Sequence, residues 1–437
     1  MKYHSTLFSD FQVFFFNFLF NIFVIKILSK FNTNSMYFSC FFIYNYSIRI
    51  NKRRKKLINE RALKKSGIVI QRQLSVFEVN KIASNITNKI CSTFPEHKLV
   101  PSELFVALSR VSMYLADFSD CSAAKYDVNQ NAIYLKNTMD FDKIETPAIH
   151  ECLHFIQAIR DQKGKLKRLG LYELNAVKDT GMAINEAAVQ LMATCTNPQK
   201  KRDSVKYYGL EFSAESPNYY PLECSLVRQM TYFTGTYPLY HSTLYSDDIF
   251  KNTFIMKSSK ETYDKISKNL DLLVKIQEDI HRENSYLAHL EHSRPNFKKV
   301  QRSNEKLELL KNAIAKIVLE TQEYILISCS YSDLELVRNQ QDVRDFKNKL
   351  YKFQKYLIVT DGYYFYNDFY IHMMEELDKK RELIEKYGSL EVFKEIPENL
   401  SLIETRQEKL NLWKVAKQKL IELFKHNKQE AKQKEND

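Results

Sequence analysis

Apolar positions along this chain recur mostly at three-and-four spacing, the period of a helix with one buried face. Val76, Val79, Ile82, Ile86 and Ile90 form one such stripe, and Leu104, Leu108, Val111 and Leu115 form the next, beyond Pro95 and Pro101. From residue 256 onward the same spacing dominates. Ile266, Leu270, Leu273, Ile276 and Ile280 make one seam; Leu307, Leu310, Ile314 and Ile317 make a second after Pro295. Val343, Phe346, Leu350, Phe353 and Leu357 make a third. These read as the core seams of a helical bundle. Met182, Ile184, Val189 and Met192 predict a further helix, buried or half-buried. One stretch switches period. Within residues 127–137, Ile133 and Leu135 alternate with Ala132, Tyr134 and Lys136, as in a half-buried strand. The pattern predicts a mainly α protein with a small β-sheet, an α+β fold.

Composition sharpens this picture. Only 8 glycines and 9 prolines punctuate 437 residues, so turns are few and helices long. Much of the net charge of +12 sits in Lys52-Arg53-Arg54-Lys55-Lys56, in Lys64-Lys65 and in a lysine-rich tail from Lys414 to Lys434. Neither end block has the interleaved aromatics of a base-stacking surface, so nucleic acid is not an expected partner. The first basic block follows an apolar run from Phe11 to Leu28, which has about the minimum length of a transmembrane helix. That order predicts a membrane anchor through residues 11–28, with the catalytic part facing the cytoplasm. Without that segment the expectation is a cytoplasmic protein. Seven cysteines without C-x-x-C spacing point to free thiols in a reducing compartment. The expected organisation is an apolar segment with its basic cluster over 1–65, a catalytic domain over 66–255, and a helical domain with a charged tail over 256–437.

The most informative spacing is His150-Glu151-Cys152-Leu153-His154, an H-E-x-x-H pattern. On a helix, residues four apart share a face, so both imidazoles can address one Zn²⁺. The glutamate after the first histidine can reach a water at that ion. Cys152 and Leu153 would turn toward the core. A third ligand has a candidate in Glu186, within Gly181-Met182-Ala183-Ile184-Asn185-Glu186-Ala187-Ala188. A carboxylate in the first turn of a largely apolar helix is costly to bury unless paired or bound to a metal. Glu223 competes for that role from another helical segment.

His150–His154 followed by the Ile184-Asn185-Glu186-Ala187 helix resembles the gluzincin class of zinc metallopeptidases, to which thermolysin belongs. The resemblance covers roughly residues 125–195. It implies a zincin-like catalytic core beside the helical C-terminal domain. It also implies His150, His154 and Glu186 as zinc ligands, Glu151 as general base, and a peptide or protein as substrate. Two positions depart from the pattern. The gap between the two helices is longer, and Gln190 stands where an aspartate often orients a zinc histidine.

Peptide hydrolysis also calls for a donor to the tetrahedral oxyanion. The tyrosine-rich region 207–250 supplies His241 as the candidate, with Tyr240 or Tyr237 beside it. The strand within 127–137 is either a peptide-pairing edge or a plain structural hairpin. No G-x-x-x-x-G-K-[ST], G-x-G-x-x-G or G-x-S-x-G occurs, so nucleotide-dependent and serine-hydrolase chemistry lack their usual anchors. The expectation is thus a zinc-dependent metallopeptidase. Its rivals are a zincin fold that binds or senses without turnover, and a membrane-tethered helical interaction protein.

Overall fold

The computed structural model describes residues 60–120, 122–174, 180–197, 204–292 and 297–388. The proposed anchor over 11–28 and the lysine-rich tail lie outside them. Among the described residues no helix is long and apolar enough to cross a membrane. The described chain divides into two units, one over 60–335 with 348–367 and the other over 336–347 with 368–388. The first contains His150, Glu151, His154 and Glu186.

It is mainly α with small β-sheets. The order is α1 (Glu60–Lys65), β1 (Ile68–Gln73), α2 (Val76–Thr93), α3 (Pro101–Leu108), β2 (Ser112–Phe118), β3 (Ala124–Asp127), β4 (Ala132–Lys136) and α4 (Thr146–Gln157). A short hairpin sheet follows, β5 (Ala158–Arg160), β6 (Leu166–Leu169) and β7 (Tyr172–Glu173), and then α5 (Met182–Thr196). After the β8–β9 hairpin (Val205–Tyr207, Leu210–Phe212) come α6 (Pro221–Thr234), α7 (Thr236–Tyr245), α8 (Ile249–Lys257), α9 (Lys260–His292) and α10 (Phe297–Glu335).

The main sheet has the order β1-β2-β4-β3, with β2 and β4 parallel and both outer pairs antiparallel. The alternation in residues 127–137 does become a strand, β4, but an interior one. Both of its faces are covered, so Ala132, Ile133, Tyr134 and Leu135 are all buried instead of every second one. The edge strands are β1 and, beside β4, β3, whose four residues are too short a run to stand out in the sequence. A second difference concerns Val111 and Leu115. The stripe assigned them to a helix, yet α3 ends at Leu108 and Leu115 lies in β2. Positions four apart share a face in a strand as well as in a helix. Val111, Met113 and Leu115 are all buried, which is the strand period.

α2 begins with a capping box. Ser75 accepts from the Glu78 amide, while the Glu78 carboxylate accepts from Ser75 N at 2.8 Å. Of its predicted stripe, Val79, Ile82, Ile86 and Ile90 are buried, whereas Val76, in the first turn, is exposed. The hub of the unit is α5, which packs against α2, α4, α6, α7 and α9. Most of its side chains are buried, Met182 in the first turn being exposed, and its alanines at 183, 187, 188 and 193 let those neighbours approach closely. The helix starts at Gly181, in the left-handed region at φ 83°, which supplies no side-chain cap. Asp271 on α9 supplies one instead, accepting from Gly181 N at 3.0 Å and from Ala183 N at 2.9 Å. The seam of Ile266, Leu270, Leu273, Ile276 and Ile280 is the buried face of α9. Cys91, Cys152, Cys195, Cys224 and Cys329 are free thiols, as their spacing predicts.

Candidate metal centre

Pro147 opens the first turn of α4, where its missing amide proton costs nothing. The helix then carries His150 and His154 one turn apart on the same face, both 6 % exposed. Their Nε2 atoms lie 2.9 Å apart. α5 packs against α4 and brings the Glu186 carboxylate to both, Oε2 at 3.2 Å from His150 Nε2 and Oε1 at 3.3 Å from His154 Nε2. Among the described residues this is the one group of three or more such side chains whose ligand atoms converge closely enough to hold a metal ion. The spacing can be checked against coordination geometry. Zinc bonds of about 2.0–2.1 Å at tetrahedral angles separate neighbouring donor atoms by about 3.3 Å. Each carboxylate oxygen lies at about that distance from one imidazole nitrogen, and the two nitrogens are somewhat closer together.

Glu151 follows His150 and points to the opposite side of the cleft, where β3 lies along α4. Its Oε2 accepts from the Tyr126 backbone amide at 2.7 Å. The pairing of β3 with β4 explains why that amide is free to do so. Lys136 N donates to Ala123 O, so the groups of residue 123 face inward and those of Ala124 and Tyr126 face outward.

The two carboxylates are driven apart electrostatically. Burial raises the Glu151 carboxyl to about 7, with Glu186 adding to the rise and His150, the Tyr126 amide and Lys125 opposing it. Burial would raise Glu186 too, but His154 and His150 more than offset that, and its carboxyl is held below the ordinary range. Cys152, between the two histidines, is buried and stands outside the converging group, and burial pushes its thiol up.

The centre opens into a cleft of about 330 Å³ whose other walls include Lys125, Tyr126, Val128, Leu169, Tyr219 and Tyr220. Tyr220 was not singled out by the sequence. It is the N-cap of α6, in the left-handed region at φ 50°. That conformation costs roughly 1–2 kcal/mol for a residue with a side chain. It lays the ring over His150, with centroids 6.2 Å apart and planes 13° from parallel. Burial and then the Glu186 and Glu151 carboxylates raise the phenol far above its usual range, so it stays protonated.

The residues proposed from sequence as oxyanion donors are elsewhere. His241 Nδ1 lies 2.9 Å from Asp247 Oδ2, and its ring packs on Tyr245 and Tyr237. The Tyr240 hydroxyl meets Cys195 Sγ at 3.3 Å, and its ring packs edge-on against Phe94. Neither lines the cleft. α7 turns these side chains toward Asp247, Cys195 and the end of α2. Tyr237 stacks on His97 and is also off the cleft. Glu223, the rival ligand, is buried in the first turn of α6 and does not line the cleft. The sequence signal that could have found Tyr220 is the Tyr219-Tyr220-Pro221 step, an aromatic pair directly before a helix-opening proline.

No family model, curated protein or solved structure matches this chain.

Proposed function

We propose that the chain is a zinc-dependent hydrolase, a metallopeptidase of the kind that the gluzincin resemblance of α4 and α5 suggests. The observation that carries this reading is the convergence of His150 Nε2, His154 Nε2 and the Glu186 carboxylate within 3.3 Å of one another, beside Glu151 in an open cleft. Two imidazoles and a carboxylate are a donor set suited to Zn²⁺ with one position left for reactants. Bound there, the ion would supply Lewis acidity toward a scissile carbonyl and toward water.

The chain's own groups account for the rest. Glu151 takes a proton from the attacking water and passes it to the leaving amine. The Tyr126 amide fixes its Oε2, which leaves Oε1 to carry that proton. The outward amide and carbonyl of Ala124, on the β3 edge, pair with an extended peptide. The protonated Tyr220 hydroxyl donates to the developing oxyanion, in place of His241 or Tyr240.

The test uses the purified full-length chain, which should carry about one equivalent of zinc. Glu151→Gln should keep that zinc and lose roughly 10²–10⁴-fold in turnover of a cleaved library peptide. A Gln variant as fast as wild type refutes the mechanism. Zinc retained by a wild-type chain that cleaves nothing in the library would favour binding without turnover.

A further inference from the structure

Each ligand imidazole has a second ring nitrogen besides the one that meets Glu186, and each of these meets a glutamine. His150 Nδ1 lies 2.9 Å from Gln190 Oε1. Gln190 is itself fixed, because its Nε2 donates to Ser216 Oγ at 3.0 Å and to Thr194 Oγ1 at 3.2 Å. His154 Nδ1 lies 3.0 Å from Gln157 Nε2. Both glutamines are buried, Gln190 at 3 % exposure and Gln157 at 1 %. Gln157 Oε1 is buried with no hydrogen-bond partner.

An imidazole that binds a metal through Nε2 carries its proton on Nδ1 and needs an acceptor there. Gln190 already presents an oxygen to His150. Gln157 does the same for His154 once its terminal amide turns over about its last bond, a turn that gives up its long Nε2 donation to Asn185 Oδ1 at 3.4 Å. The oxygen that now lacks a partner then takes the place of the nitrogen. The backbone leaves room for this amide and little else. A Cβ on Gly170, whose φ is 58°, would fall 2.3 Å from Gln157 Oε1 and 2.2 Å from Asn185 Oδ1.

We infer that Gln157 and Gln190 are a matched pair of positioning residues, each giving an amide oxygen to the Nδ1–H of one ligand histidine, and that their neutrality sets how tightly the centre holds its metal. The inference rests on the metal reading above. A carboxylate behind a ligand histidine raises the basicity of the ring, whereas an amide orients the ring without adding charge. With amides behind both rings, the ion is less neutralised by its surroundings. It is therefore more electrophilic and exchanges more readily than in a carboxylate-backed site.

The test measures zinc and cobalt affinity of the full-length chain by chelator competition, with the visible bands of bound Co²⁺ reporting ligand geometry. Gln157→Ala and Gln190→Ala should each weaken zinc binding by about 10–100-fold and shift the cobalt bands. Gln190→Glu should restore the bands and bind zinc more tightly than wild type. Gln157→Glu gives the same comparison for His154 if alanine at that buried position prevents folding. Folded alanine variants with wild-type zinc affinity overturn the inference, as does a Gln190→Glu chain no tighter than Gln190→Ala. A wild-type chain that binds neither ion defeats the metal reading itself, and is told apart because no variant is needed to see it.

Discussion

Glu223 separates a carboxylate that the fold merely tolerates from one that it uses. Its side chain is 0 % exposed. Burial raises its pKa from 4.5 to about 7, opposed more weakly by its own backbone amide and by Gln277. The folded chain therefore holds this proton more tightly than the unfolded chain does. Below about pH 4.5 both states carry it, and the group costs nothing. As the pH rises toward 7 the unfolded chain ionises first, so stability falls. Above about pH 7 both states are ionised and the whole cost is present. A gap of about 2.5 pH units at about 1.36 kcal/mol each comes to about 3 kcal/mol. Glu223→Gln keeps the shape and removes the charge. It should stabilise the chain by about 3 kcal/mol at pH 8, and by less than about 1 kcal/mol at pH 5. Urea unfolding of both chains at the two pH values reads this from the midpoints and a common slope. A gain of equal size at both values, or a loss at pH 8, refutes the reasoning. Zinc content should not change, because Glu223 does not line the cleft.

Three further predictions address the cleft and its support. Tyr220→Phe should lower kcat by about 100-fold with KM and zinc content nearly unchanged; steady-state kinetics showing wild-type kcat would remove Tyr220 from the mechanism. Ala124→Pro deletes an outward amide without touching a ladder bond, so KM for extended peptides should rise about five-fold. An unchanged KM would show that substrate does not pair with β3. Asp271→Ala leaves the start of α5 uncapped and should cost about 1–2 kcal/mol in urea unfolding; a loss below about 0.5 kcal/mol would mean that water serves as well as the carboxylate.

What could be read from the sequence is what depends on local spacing. His150 and His154 share a face because they lie four apart on one helix, and that holds whatever surrounds them. Glu186 was legible through cost, since an acid in an otherwise apolar helix needs a reason to be there. The long seams of α2 and α9 were legible for the same reason as the histidines. Direction was not. His241 and Tyr240 have suitable chemistry, but side-chain type does not say which way α7 faces, and packing turns both to other partners. Tyr220 reaches the centre only through a left-handed backbone at the start of α6, which propensity disfavours for tyrosine. β3 escaped notice because four residues carry too little period, and its place at the edge beside β4 follows from β4 pairing with β2 on its other side.

The placement of Asp271 carries this one step further. Glu186 and Gln190 both stand on α5, so the proposed third ligand and the side chain that meets His150 Nδ1 move together with that helix. α5 has no cap of its own, and its N-terminus is closed by a side chain about ninety positions further along the chain, on α9. The long helices that read from sequence as a bundle apart from the chemistry thus fix the start of the helix that completes the centre. A substitution in the α9 seam that shifts Asp271 should loosen metal binding at a distance. Leu270→Ala and Leu273→Ala, both fully buried on α9, are the places to look for that coupling. A cavity there, expected to cost about 2–5 kcal/mol, should weaken zinc affinity along with stability. An equal substitution at Ile82 on α2, also fully buried, should lower stability and leave zinc affinity less changed. If all three lower zinc affinity equally, the support is general to the fold and does not run through α9.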